Sequence, residues 1–166
     1  MAASLDASLP RWDAIIVAGG GFPRPADIGR SPLRLTLDAV RRAEQVAIVG
    51  YGPGHRPGSG PSPAASAIAL GLHSLRESGS DFTAVVSASL PRLAAALAIL
   101  VEEIGSGSVD DGLVAFDRAR PEPLLAIYRT RSLREAAAGL SLSASPSMRR
   151  LLGSLSLRQV SLPEAN

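Results

Sequence analysis

The chain contains no cysteine and no lysine among its 166 residues. Without cysteine there are no disulfides, no thiolate nucleophile and no thiolate-held zinc. Without lysine no ammonium can grip a phosphate, and all 17 cationic side chains are arginine. Aromatics make up only 4% against 46% hydrophobic residues, so a core has to be assembled from Leu, Ala, Val and Ile. No apolar run nears the roughly 18 residues of a membrane span. The opening MAASLDASLPRWD lacks a basic segment leading into a long apolar one. A cytoplasmic location with no membrane partner is the expectation.

The charge balance excludes less than the isoelectric point suggests. That point is about 9.9, yet the net charge is only +2. The arginines are dispersed (Arg11, Arg24, Arg30, Arg76, Arg92, Arg158) with pairs at Arg41–Arg42 and Arg149–Arg150. There is neither a basic block nor the interleaving of arginine with aromatics that single-strand binders use, so no nucleic-acid partner is expected.

Apolar runs alternate with stretches of helical period. Asp13–Ala18, Val46–Gly50 and Phe82–Ala88 read as buried strands. Leu33, Leu37 and Val40 share one helical face, as do Ile68, Leu72 and Leu75 in Ala64–Ser78, with Gly79 as a stop. Arg92–Ile104 places Leu93, Leu97, Leu100 and Ile104 at helical spacing, stopped by Gly105. Gly112–Asp117 and Pro123–Arg129 read as two more strands. Helices follow near Ser132–Ala138 and Pro146–Leu152, the second capped by Ser145 with Pro146 in its first turn. Gln159–Leu162 reads as an edge strand. This pattern predicts a three-layer α/β/α Rossmann-like sandwich, its sheet mostly parallel with some antiparallel pairing at one side. Residues 1–12 are expected to be an extension and 13–166 a single domain. Ligands in such sheets bind at the carboxyl ends of the strands, so the loops Gly19–Pro32, Tyr51–Pro63, Ser87–Arg92 and Asp117–Pro123 should converge.

The first of these loops stands out. Val17–Pro32 reads VAGGGFPRPADIGRSP. Glycines after a strand let backbone amides approach a base or phosphate with no side chain between. The dinucleotide fingerprint Gly-x-Gly-x-x-Gly fails, because from Gly19 its last glycine falls on Arg24. A Walker loop needs Gly-Lys-Ser/Thr, which a lysine-free chain cannot form. On these residues alone, a ligand cradle and a plain tight turn both stay open.

Together with the rest of the chain, the segment resembles the signature of the molybdenum cofactor guanylyltransferases and related nucleotidyltransferases. That signature is Leu-Ala-Gly-Gly-x-Ser-x-Arg-Met-Gly-Gly-x-Asp-Lys, and it matches Ala18, Gly19, Gly20 and Arg24 without a gap. GPSPAASAIALGL (Gly60–Leu72) is similar to the family's Gly-Pro-Leu-Ala segment, and VVSASLPRL (Val85–Leu93) to its strand ending in Asp-Leu-Pro. PLLAIYR (Pro123–Arg129) and SMRRLLGSL (Ser147–Leu155) resemble its C-terminal half, so the likeness spans about Asp13–Val160. It implies a nucleoside triphosphate, GTP, held over the glycine turn by Ala18, Gly19, Gly20, Gly21, Arg24 and Arg30. It also implies magnesium on the Asp of Asp-Leu-Pro, and transfer of GMP from GTP to molybdopterin with pyrophosphate leaving.

The chain departs from that signature at charged positions. Ser89 stands where the magnesium Asp belongs, and Arg30 where the Lys belongs. Arginine keeps the charge as a broader planar fork, so Arg30 can still hold phosphate. A serine hydroxyl brings no negative charge to a hard cation. Losing such a metal site costs on the order of three decades in rate. Weakened or lost catalysis is therefore expected, with magnesium the cofactor only of an active enzyme. Asp117 is the candidate substitute ligand and Asp27 a weaker one.

Other groups read more plainly. His73 reads as a boundary residue on a helix and His55 as a loop residue able to touch a ligand. Glu102–Glu103 and Asp110–Asp111 read as solvated charge, and Trp12 as packing. Two further functional readings stand beside the enzyme. One is a non-catalytic module of the same fold that binds nucleotide or a partner protein. The other is an α/β domain unrelated to nucleotides, its glycine turn purely structural.

Overall fold

The computed structural model describes residues 10–18, 32–50, 63–88, 92–107, 109–117, 120–140 and 147–163. In chain order these form β1 (Trp12–Ala18), α1 (Pro32–Ala39), β2 (Val46–Gly50), α2 (Pro63–Ser74), β3 (Phe82–Ser87) and α3 (Leu93–Ser106). Then come β4 (Gly112–Asp117), β5 (Arg120–Arg129), α4 (Thr130–Leu140), α5 (Met148–Gly153) and β6 (Leu157–Ser161). The strands make one sheet in the order β2-β1-β3-β5-β4-β6.

β1 pairs in parallel with β2 and β3, and β4 in parallel with β6. β5 runs antiparallel to both of its neighbours, β3 and β4. The antiparallel strand therefore sits inside the sheet. Its direction follows from chain length, since only residues 118–119 separate β4 from β5 and a parallel return needs a long crossover.

Every residue of β1 is buried, which is why its sequence is apolar at every position but Asp13. Trp12, Ala14 and Ile16 point into a cluster with Leu33 and Val40 of the α1 segment and Leu93, Leu97 and Leu100 of α3. Ile15 and Val17 point the other way, into a cluster with Ile68 and Leu72 of α2, Leu133 of α4 and Leu151 of α5. Helices thus cover both faces, giving the three-layer α/β sandwich that the strand–helix alternation predicts.

The boundaries differ from the sequence reading where packing outweighs local signals. α3 runs through Gly105 to Ser106 and closes at Gly107, since its last turn is anchored by buried Ile104. α2 ends at Ser74, ahead of Gly79, and the chain leaves it through turn bonds such as Ser78 N–H to Leu75 O at 2.9 Å. α5 is capped by Ser147, whose Oγ accepts from the Arg150 amide at 3.2 Å; Ser145 and Pro146 lie outside the described residues. β5 begins at Arg120 rather than Pro123, with a register shift opposite Val114/Ala115.

Asp110–Asp111 also departs from expectation. Asp111 is a structural clamp: its Oδ1 accepts from Ser132 Oγ of α4 and its Oδ2 from the Ser156 amide ahead of β6, both at 2.7 Å. Those two donors hold its carboxyl below the ordinary value, the Ser156 amide contributing most.

Candidate functional site

β1, β2, β3 and β4 run in one direction, so their carboxyl ends Ala18, Gly50, Ser87 and Asp117 lie along one edge of the sheet. Ala18 is in register with Gly50, and Val17 with Ser87. Beyond the last pair, the Ala88 amide donates to Val17 O at 3.1 Å. The glycine turn therefore leaves β1 beside the β3 terminus that leads to Ser89.

The chain departs in opposite directions from β1 here. α1 returns over one face to β2, and α2 crosses the other face to reach β3 on the far side of β1. α3, which follows β3, packs on the α1 face, so the neighbouring ends that part to opposite faces, and open a crevice between them, are those of β1 and β2. This is the topological switch point where α/β sheets bind ligands.

Of the residues assigned to nucleotide contact, Ala18 is described, buried at the end of β1. Gly19, Gly20, Gly21, Arg24 and Arg30 lie outside the described residues, as do Ser89, Asp27 and His55. Asp117 closes β4, but β5 lies between β4 and β3, which sets its backbone two strand spacings, about 10 Å, from β3. His73 is exposed in the last turn of α2, and Trp12 is buried in the core.

Two residues at this edge escaped the sequence reading. Glu122 lies on β5, the direct neighbour of β3, and its Oε1 accepts weakly from the Leu124 amide at 3.4 Å. A strand that starts at Pro123, as the sequence predicts, leaves Glu122 in a loop. Arg92 precedes α3 in a left-handed conformation, φ 59 and ψ 22, with no side-chain cap on the helix. Its Nη1 donates to Pro163 O at 3.1 Å, tying the start of α3 to the chain beyond β6. The available signal was the lack of Ser, Thr, Asp or Asn ahead of a strongly apolar helix.

Among the described residues no three of His, Asp or Glu come together as a metal-holding group. One acid among the described residues is deeply buried, Asp13, with Oδ1 accepting from Ser80 Oγ at 2.9 Å and Oδ2 without a described partner. It lies at the amino end of β1, across the sheet from this edge. The hydroxyl of Ser89 brings no negative charge to a magnesium ion.

No family model matches the chain, and no curated protein matches it. Solved structures do. 4-Diphosphocytidyl-2C-methyl-D-erythritol synthase from Anaerococcus prevotii DSM 20548 aligns with a TM-score of 0.65 at 12% identity, covering 92% of this chain and 87% of that one. Molybdopterin-guanine dinucleotide biosynthesis protein A from Archaeoglobus fulgidus aligns with a TM-score of 0.55 at 18% identity, covering 89% and 83%. A protein from Aquifex aeolicus VF5 aligns with a TM-score of 0.58 at 14% identity, covering 95% and 90%. At such identities the likeness is one of fold: these proteins share its α/β sheet with helices packed on it.

Proposed function

We propose that the chain binds a nucleoside triphosphate, GTP, in the crevice at the carboxyl end of β1, which lies between β2 and β3. The observation that supports this most is the switch point itself, with the glycine turn leaving Ala18 beside the strand that runs on to Ser89. In this reading the amides of Gly19, Gly20 and Gly21 approach the nucleotide, while Arg24 and Arg30 meet its phosphates as planar forks. The acceptor, if transfer occurs, is molybdopterin, which takes GMP as pyrophosphate leaves.

Transfer of this kind depends on charge neutralisation around the phosphates. Two arginines supply part of it, and Ser89 removes the part that a metal-bound carboxylate provides. The chain is accordingly a nucleotide-binding protein with weakened or lost transfer. Ser89 also favours a second reading, a module that binds nucleotide or a partner protein without chemistry.

The test is product formation from GTP and molybdopterin with magnesium, comparing the native chain with a Ser89→Asp/Arg30→Lys double variant. The double variant is expected to be faster by on the order of 10³-fold, the size of a lost metal contribution. A native chain already turning over as fast as that variant contradicts weakened catalysis. No gain in the variant, with GTP still bound, favours the binding module.

A further inference from the structure

Four large hydrophobic side chains are exposed among the described residues, and all four surround one edge of the sheet. Leu35 is 71% exposed on α1, Val46 and Ile48 are 39% and 36% exposed on β2, and Leu70 is 59% exposed on α2. β2 is the terminal strand, and α1 and α2 are the helices before and after it. The opposite terminal strand, β6, carries no such group.

Among the described residues no strand pairs with the outer side of β2. Ala14 N–H donates to Gln45 O, and the parallel ladder continues from there. Strand alternation therefore turns the N–H and C=O of Val46, Ile48 and Gly50 away from β1. Ala47 and Val49 pack on the α2 side, which leaves Val46 and Ile48 on the opposite face. VAIVG carries none of the usual protections of an exposed edge: no Lys, no Pro, no charge and no bulge.

We infer that β2 is the contact strand of a homodimer, paired antiparallel with β2 of a second copy about a twofold axis at Ile48. That register sets Ile48 against the partner's Ile48 and Val46 against the partner's Gly50, so every outward N–H and C=O of the strand is used. The axis stands perpendicular to the sheet and keeps each face continuous. Leu35 thus lies on the same face as the partner's Leu35, and Leu70 on the same face as the partner's Leu70.

Charge selects a copy of the same chain over a polyelectrolyte or a charged partner. α2 has no Asp, Glu, Lys or Arg from Pro63 to Ser74. Two ion pairs among the described residues lie on the segments that flank β2, Arg34–Asp38 at 3.7 Å and Arg11–Glu44 at 3.6 Å. Arg41 and Arg42 precede β2, so the twofold sends the two copies' pairs to opposite ends of the interface. Identical surfaces can meet without like-charge repulsion only when they are neutral in this way. The dimer joins the two sheets into one, and its two nucleotide crevices open at opposite ends.

Sedimentation equilibrium of the full chain across a concentration series reads the association. The expected mass is twice the 17.1 kDa of one chain, falling to 17.1 kDa in Ile48→Lys with an unchanged melting temperature. Because the chain has no cysteine, Ile48→Cys introduces a unique thiol at the axis. Opposed Cα atoms of an antiparallel pair are about 5.5 Å apart, within disulfide reach, so mild oxidation is expected to yield a covalent dimer. Gln159→Cys on β6 is expected to stay single under the same oxidation. A native mass of 17.1 kDa throughout, a dimer that survives Ile48→Lys, or cross-linking of the Gln159→Cys chain in place of the Ile48→Cys chain overturns the inference. So does a single-chain Ile48→Cys species whose introduced thiol resists alkylation, since the edge is then covered by the chain itself.

Discussion

At Asp111 one carboxylate accepts hydrogen bonds from a hydroxyl on α4 and from an amide ahead of β6, while its own backbone leads into β4. Asp111→Ala leaves both donors unpaired and is expected to cost about 1–2 kcal/mol in urea unfolding. The pH response has a definite sign. A carboxyl held lower in the folded chain stabilises it above the ordinary value of 3.8, and that stability is lost as pH falls through the folded value. The native chain is therefore expected to lose stability more steeply than Asp111→Asn as pH falls below about 4. Gly112, the next residue, is required for a steric reason. A Cβ there would stand 2.5 Å from Ile127 O and 2.9 Å from Tyr128 Cα, both backbone atoms of the paired strand. Gly112→Ala is expected to destabilise by about 2 kcal/mol or more, read as a lower urea midpoint. Neither role was legible in SVDDGLV: adjacent acids beside a glycine look the same whether they are solvated or clamped. Only the long-range partners Ser132 and Ser156 separate the two cases.

Among the elements, the short apolar strands are legible because each is bounded by glycine, proline or charge, and β1 and β3 are buried on both sides. β2 and β4 fall on the residues their runs indicate, and β1 and β3 differ by one residue at an end. Helix ends were less legible, because a lone glycine or serine is a local signal that packing overrides, as at Gly105. The interior antiparallel strand follows from a short connection, but its early start at Arg120 was hidden by Pro121 and Pro123, which look like loop. α2 crosses β1 closely at Gly71, where a Cβ would lie 2.7 Å from Ile15 Cγ2. Gly71→Ala gains helix propensity yet pushes against a buried side chain, and is expected to lose about 1 kcal/mol net or more in denaturant unfolding. On β5, Tyr128 is buried with its hydroxyl donating to Pro123 O at 2.9 Å, and burial, reinforced by nearby Glu122, pushes its phenol well above the ordinary range. Tyr128→Phe is expected to cost about 1 kcal/mol. It should also make unfolding less sensitive to pH above about 10, where the unfolded phenol ionises and the buried one does not.

For the whole molecule, strand order decides where function can lie. A β2-β1-β3 arrangement with helices on opposite faces fixes the crevice beside Ala18, and the alternation of runs along the sequence predicted that edge. The residues proposed to line it were legible only as residue types. The glycine turn and two arginines suit a triphosphate, whereas Ser89 does not suit its metal. Binding and metal dependence should therefore come apart in this chain. Calorimetric titration of GTP into the native chain, once with magnesium and once with a chelator, measures both together. Binding of similar affinity in the two conditions is the expected result. No binding in either, or binding only when magnesium is present, contradicts a nucleotide site that works without its metal.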